Sequence, residues 1–159
     1  MLATVTEVRL CNSLAVSVSD NSLTGLIFMS SFDLTLHSPG GSELDLETTW
    51  LELRAKHVPG VPHTLGSAPW ASWLHMTTGY NAGYYGYLWS EVFAKDLYAQ
   101  FKARGPNGPL NPELGMKFRK DILEPCAIHP GSQMLLNFLG REPNSDAFLQ
   151  DLGINAGSQ

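Results

Sequence analysis

The chain has 159 residues, 43% of them hydrophobic and only 16% charged. A charged fraction below the usual value of about 25% argues against disorder, which needs the opposite balance. Ten basic against fifteen acidic residues, a net charge of −5, argue against nucleic acid and anionic membrane surfaces as partners, because both demand a dense basic surface.

Residues 1–26 carry no signal-peptide core, and the only basic residue among them is Arg9, which speaks against an Arg-rich transit peptide. Their loose alternation (Val5, Val8, Leu10, then Leu14, Val16, Val18) reads either as a short strand or as a disordered tail. No apolar run approaches the roughly 20 residues of a membrane helix. The two cysteines, Cys11 and Cys126, lie far apart; they allow one disulfide but no disulfide framework and otherwise read as reduced thiols, Cys126 as a small buried hydrophobe near a helix end. The compartment expected is the cytoplasm, with the mitochondrion second.

From Gly25 to His37 the chain predicts a helix, with Phe28, Phe32 and Leu36 on one face. Ser38-Pro39-Gly40-Gly41 breaks it. A second helix is predicted from Ser42 to about His57, opened by a Ser42/Asp45 capping box and carrying Leu44, Leu51 and Ala55 on its apolar stripe. Pro59, Gly60 and Pro62 end it, and the prolines and glycines up to Trp73 preclude a long regular element. Trp70 and Trp73 must nevertheless find cover. Tyr84 to Arg104 is the clearest helix, apolar on nearly every face, which predicts burial by neighbours on several sides. Shorter helices are expected at Pro112–Ile122, Ser132–Leu139 and Ser145–Leu152, with Ser145 as an N-cap and Gly140 and Gly153 as C-caps. The fold class is all-α, helices joined by short loops.

Strong catalytic signatures are missing: no H-E-x-x-H, no G-x-S-x-G, no phosphate loop. None of the five histidines stands four residues from another, and Cys126 with His129 lacks two further zinc ligands. One constellation is left, His75-Met76-Thr77-Thr78-Gly79-Tyr80-Asn81-Ala82-Gly83-Tyr84-Tyr85-Gly86-Tyr87. If it is helical, Tyr80, Tyr84 and Tyr87 form one stripe of phenols. Three hydroxyls and an imidazole need partners once buried. Backbone carbonyls in a structural cluster are one answer, and a substrate carbonyl or its oxyanion is the other.

The run GYNAGYYGYLWSEVFAKDL resembles the C-terminal catalytic region of the thimet oligopeptidase and neurolysin family of zinc metallopeptidases, and the likeness continues through GMKFRKDILEPC and LLNFLGREPNSDAFLQDLGI. It covers residues 27–154, leaving 1–26 unmatched and 155–159 as a tail. The resemblance implies hydrolysis of short peptides by a zinc-bound water, the metal being held by an H-E-x-x-H helix and a Glu of the next helix. It also implies that Tyr87 and Tyr80 bind substrate and the oxyanion, with His75 and Tyr84 as further ligands and Thr78, Gly79 and Gly83 forming the substrate loop. Tyr85 reads as packing. Three positions depart from the family pattern: Thr78 for the first loop glycine, Leu74 for a small residue before His75, and Gly83 for a larger polar one.

The zinc-binding helix and its third ligand have no counterpart in this sequence, so the chain is expected to be a C-terminal part of such a peptidase, without zinc ligands and inactive alone. The missing upstream catalytic segment is then its expected partner, and apolar surface should be exposed where that segment packs. The alternative is a non-catalytic helical interaction module derived from such a peptidase.

Overall fold

The computed structural model describes residues 23–60, 62–64, 66–103 and 105–154. Cys11 and the tail at 155–159 lie outside the described residues, as does most of the stretch read as strand or tail. Among the described residues all regular structure is helical, so the fold is all-α. They form two compact units, divided after Trp89.

In the first unit, α1 (Leu23–Leu36) packs against α2 (Leu46–His57). Phe28 and Phe32, one turn apart on α1, are both buried, as their spacing predicts. Each meets Trp50 of α2 edge to face, with centroids 4.7 and 5.0 Å away. Such pairs add about 0.5–1.5 kcal/mol each beyond the area they bury. Met29, Val58 and Tyr84 complete the core, and Trp70, Trp73 and Met76 pack onto its edge. The tryptophans of the irregular segment thus find their cover here, carried by short 3₁₀ turns at Pro69–Ser72 and Leu74–Met76.

The start of α2 corrects the sequence reading. Gly41–Glu43 is a separate 3₁₀ turn, and the cap is Asp45, whose carboxylate accepts the Thr48 N–H at 2.8 Å. The predicted stripe also fails. Leu44 and Leu51 are 41% and 37% exposed and Ala55 is exposed, while Thr49 and Trp50 are the buried positions. The Trp50 indole, meeting both Phe28 and Phe32 edge to face, fixes which face of α2 turns inward.

The long helix α3 runs from Gly86 to Ala103 and crosses the division between the units. Only Val92 and Asp96 on it are buried, whereas Trp89 and Tyr98 are about half-exposed. The greasy helix is therefore not enclosed by the described residues. Leu110, Ile128, Leu74 and Leu123 are further large apolar side chains on the surface.

In the second unit α4 (Pro112–Phe118) is capped by Asn111, whose Oδ1 accepts the N–H groups of Glu113 and Leu114 at 3.0 Å each. One π turn, Arg119–Leu123, extends it. The ring of Phe138 on α5 (Gly131–Leu139) packs with Phe101 and Phe118 at 6.1 and 5.5 Å. Lys117 donates to the terminal carbonyls of α5, Asn137 at 2.6 Å and Phe138 at 3.0 Å, where a cation also meets the negative end of the helix dipole. Gly140 ends α5 in the left-handed region, φ 73°, as predicted. Gly153 does the same after α6 (Asp146–Asp151), and the Ile154 N–H reaches the Leu149 carbonyl at 2.9 Å. Ser145 does stand at the N-cap position of α6, but its side chain caps nothing; Asn144 accepts the Asp146 N–H at 3.0 Å instead. Cys126 is another correction: it is exposed, not buried, with φ 50° just past the π turn.

Candidate active site

His75 lies at the C-terminal side of the aromatic segment, in the turn Leu74–Met76. Three phenol rings stand edge-on around its imidazole: Tyr84 at 5.1 Å, Tyr80 and Tyr87 at 5.8 Å each, with interplanar angles from 74° to 90°. The phenols also touch one another, Tyr84 to Tyr87 at 5.0 Å and Tyr80 to Tyr87 at 5.4 Å. His75 Nε2 and the Tyr87 hydroxyl share a hydrogen bond of 3.2 Å, its direction set by the imidazole tautomer. The four residues singled out from the sequence are therefore one cluster.

They do not converge as a helical stripe. Only Tyr87 lies on a helix, in the first turn of α3, while Tyr80 belongs to the loop and folds back. That return needs its glycines. Gly79 has φ 81°, the left-handed region that side chains resist. A Cβ on Gly83 would stand 3.1 Å from the Tyr80 carbonyl, and one on Gly86 would stand 3.2 Å from the Tyr80 hydroxyl. Thr78, in place of a loop glycine, donates its hydroxyl to the Leu74 carbonyl at 2.8 Å and ties the loop to the His75 turn.

Gly86→Ala is expected to push the Tyr80 phenol away from its place beside Tyr87. The obstructed atom is the far end of a flexible side chain, so folding stability should move by no more than about 0.5 kcal/mol. NMR of the Tyr80 ring signals beside a thermal melt checks both halves of this.

Tyr84 is buried at 8% exposure and backs the imidazole against Trp73, whose ring lies 4.8 Å away. Tyr80 and Tyr87 are 39% and 43% exposed, so their hydroxyl-bearing faces form an open surface rather than a closed cleft. Tyr85, read as packing, is also exposed at 44%. A shallow concavity of about 330 Å³ lies elsewhere, lined by Leu51, Arg54, Val58 and His63. Near it the His57 imidazole is held below its ordinary value, first by burial and then by the Lys56 charge.

The sequence reading missed Asp33. Its side chain is 1% exposed, and its two oxygens accept the N–H groups of Ala82 and Tyr84 at 2.8 and 2.9 Å. The signal was a lone acid inside an apolar helix, one turn before His37, because such a group must find donors when buried.

Among the described residues, no group of three or more His, Cys, Asp or Glu could hold a metal ion. Cys126 and His129 are both exposed. The described donor set does not fit the zinc that the family resemblance implies. No helix among the described residues is long and apolar enough to cross a membrane.

Residues 10–154 match Peptidase family M3. Saccharolysin of Saccharomyces cerevisiae is 46% identical over 79 residues, half of this chain and 11% of that protein. Thimet-like oligopeptidase of Dictyostelium discoideum is 33% identical over 80% of the chain, and oligopeptidase A of Salmonella typhimurium is 38% identical over 77%. The chain spans 19% and 18% of those two relatives' lengths. With residues 10–154 matched, every described residue among them, the chain belongs to Peptidase family M3.

Proposed function

We propose that this chain is the substrate-binding and oxyanion-stabilising part of a metalloendopeptidase that cleaves short peptides, and that it is inactive by itself. The observation that carries this reading is the imidazole of His75 ringed by three phenols, two of them half-exposed. Residues 27–154 carry the peptidase-derived motifs in this reading, the family match reaching back to residue 10, and the intact enzyme works in the cytoplasm, with the mitochondrion as the second compartment.

Tyr87 is the principal donor. Its hydroxyl, held by His75, donates to the peptide carbonyl oxygen and strengthens that bond as negative charge develops there. Tyr80 is the second donor, placed beside Tyr87 by the glycine-bounded loop of Thr78, Gly79 and Gly83. Tyr84 holds the imidazole in place and His75 orients Tyr87. A phenol has no means of activating water at neutral pH, so these residues bind and stabilise but do not start the reaction. The metal-bearing segment belongs to the portion of the relatives' length that this chain does not span, and it supplies the other wall of the open tyrosine face. The exposed Leu74 and Trp89 are apolar surface for it.

The chain with added zinc should show no metal-dependent cleavage of a fluorogenic peptide. Supplied in trans with the upstream H-E-x-x-H segment of a family relative, it should restore cleavage. Tyr87→Phe should then lower kcat about 10²-fold, the loss typical of one oxyanion donor. Cleavage by the isolated chain, or an unchanged rate for Tyr87→Phe, overturns the reading. A non-catalytic module would bind the upstream segment and be indifferent to that substitution.

A further inference from the structure

We propose that Asp33 is the positioning residue of the tyrosine loop, each of its two carboxylate oxygens engaged by a different loop amide. The amides belong to Ala82 and Tyr84, 49 and 51 residues along the chain, and they bracket Gly83. Ala82 sits at φ 57°, left-handed backbone that a residue with a Cβ adopts only when something holds it there. The 2.8 Å bond from its N–H to Asp33 Oδ1 is such a hold.

The restraint passes directly into the cluster. Tyr84, whose N–H is bound by Oδ2 at 2.9 Å, places its ring 5.1 Å from His75. Its carbonyl accepts the Tyr87 N–H at 3.1 Å, and the Gly83 carbonyl accepts the Gly86 N–H at 3.0 Å, so the first turn of α3 grows out of the bracketed residues. Asp33 therefore fixes the origin from which Tyr80, Tyr84 and Tyr87 are aimed at one imidazole. The titratable group that faces it is His37 on its own helix, Nδ1 3.0 Å from Oδ1. A carboxylate is required because two N–H groups need two acceptors. Asparagine would turn an amide NH₂ toward one of them.

The catalytic consequence rests on the function proposed above, whereas the bracket itself does not. On the chain alone, NMR should show through-hydrogen-bond couplings from the Ala82 and Tyr84 amide nitrogens to the Asp33 carboxyl carbon. In Asp33→Asn, hydrogen exchange at those two amides should accelerate about 100-fold while the α2 amides keep their protection. In the enzyme reconstituted with the upstream segment, Asp33→Asn should lower kcat at least tenfold with KM unchanged, because misaimed donors weaken the transition state more than the ground state.

Amides with no coupling to the Asp33 carboxyl carbon, or that exchange at wild-type rates in Asp33→Asn, overturn the proposal. So does wild-type kcat in Asp33→Asn when Tyr87→Phe is impaired, and in that case the functional reading still stands. If reconstituted wild type cleaves nothing, that reading fails and the amide measurements alone decide the bracket. If Asp33→Asn does not fold, the wild-type couplings decide it.

Discussion

Arg141→Ala should cost the second unit about 3–5 kcal/mol at neutral pH, and the loss should shrink on acidification. Asp96 is 1% exposed, and Arg141 grips it in two bonds, Nη2 to Oδ1 at 2.5 Å and Nη1 to Oδ2 at 2.9 Å, with the Asn144 N–H on Oδ2 at 3.0 Å. Burial pushes the Asp96 carboxyl upward. The Arg141 hydrogen bonds, the Asn144 amide and the Arg141 charge outweigh that push and hold it below its ordinary 3.8. A carboxyl with a lowered folded pKa stabilises the fold above its unfolded value and loses that contribution as pH falls through the folded one. Wild type should therefore be stable at pH 6–7 and should weaken below about 3.8, the ordinary value. Without Arg141 the burial push prevails, the carboxyl titrates above its ordinary value, and the sign reverses: acid now neutralises a buried, unpaired charge and recovers stability. Asp96→Asn should cost less, about 3 kcal/mol, because the guanidinium left behind is already 41% exposed and can rehydrate. It should also flatten the acid limb. Melts of the three proteins from pH 7 to 3 decide the matter, and parallel acid limbs would refute the assignment.

The Asp96–Arg141 pair also shows what a sequence hides. Both residues stand in stretches readable as helix or cap, yet nothing in their local spacing announces a partner 45 residues away. Phe28, Phe32, Gly140 and Gly153 were legible because their roles are local: one face of a helix, or one left-handed residue at its end. Leu44, Leu51 and Ala55 were misread because three residues at helical spacing look like a core face whether or not Trp50 claims the opposite one. The same limit applies at the candidate site. His75, Tyr80, Tyr84 and Tyr87 could be gathered from residue type and family likeness, but their convergence depends on a loop reversal and on Asp33, which period and propensity do not encode. A lone buried acid is visible in a sequence; the amides that satisfy it are not.

Phe32→Ala should be the most damaging single truncation in the first unit, costing about 3–5 kcal/mol. Phe32 is 0% exposed, meets Trp50 edge to face at 5.0 Å, and lies 6.3 Å from Trp73. Its removal loses the transfer energy of the ring and leaves a void between two indoles too rigid to close it. A domain's total stability is only about 5–15 kcal/mol, so the first unit should melt roughly 15–30 °C lower or fail to melt cooperatively. Leu51→Ala, on the outer face of α2 at 37% exposure, should move stability by no more than about 0.5 kcal/mol and serves as the control. The effect should also reach the tyrosines, since Trp73 bridges Phe32 to Tyr84, which backs His75. Phe32→Leu keeps most of the volume and should retain both the cooperative melt and the His75 ring environment, at a cost below about 1.5 kcal/mol. Circular dichroism follows the melts and the His75 proton signals follow the site. If Phe32→Ala melts within a few degrees of wild type, the Phe32–Trp50 contact is not what holds α1 to α2, and the coupling from core to tyrosine cluster fails with it.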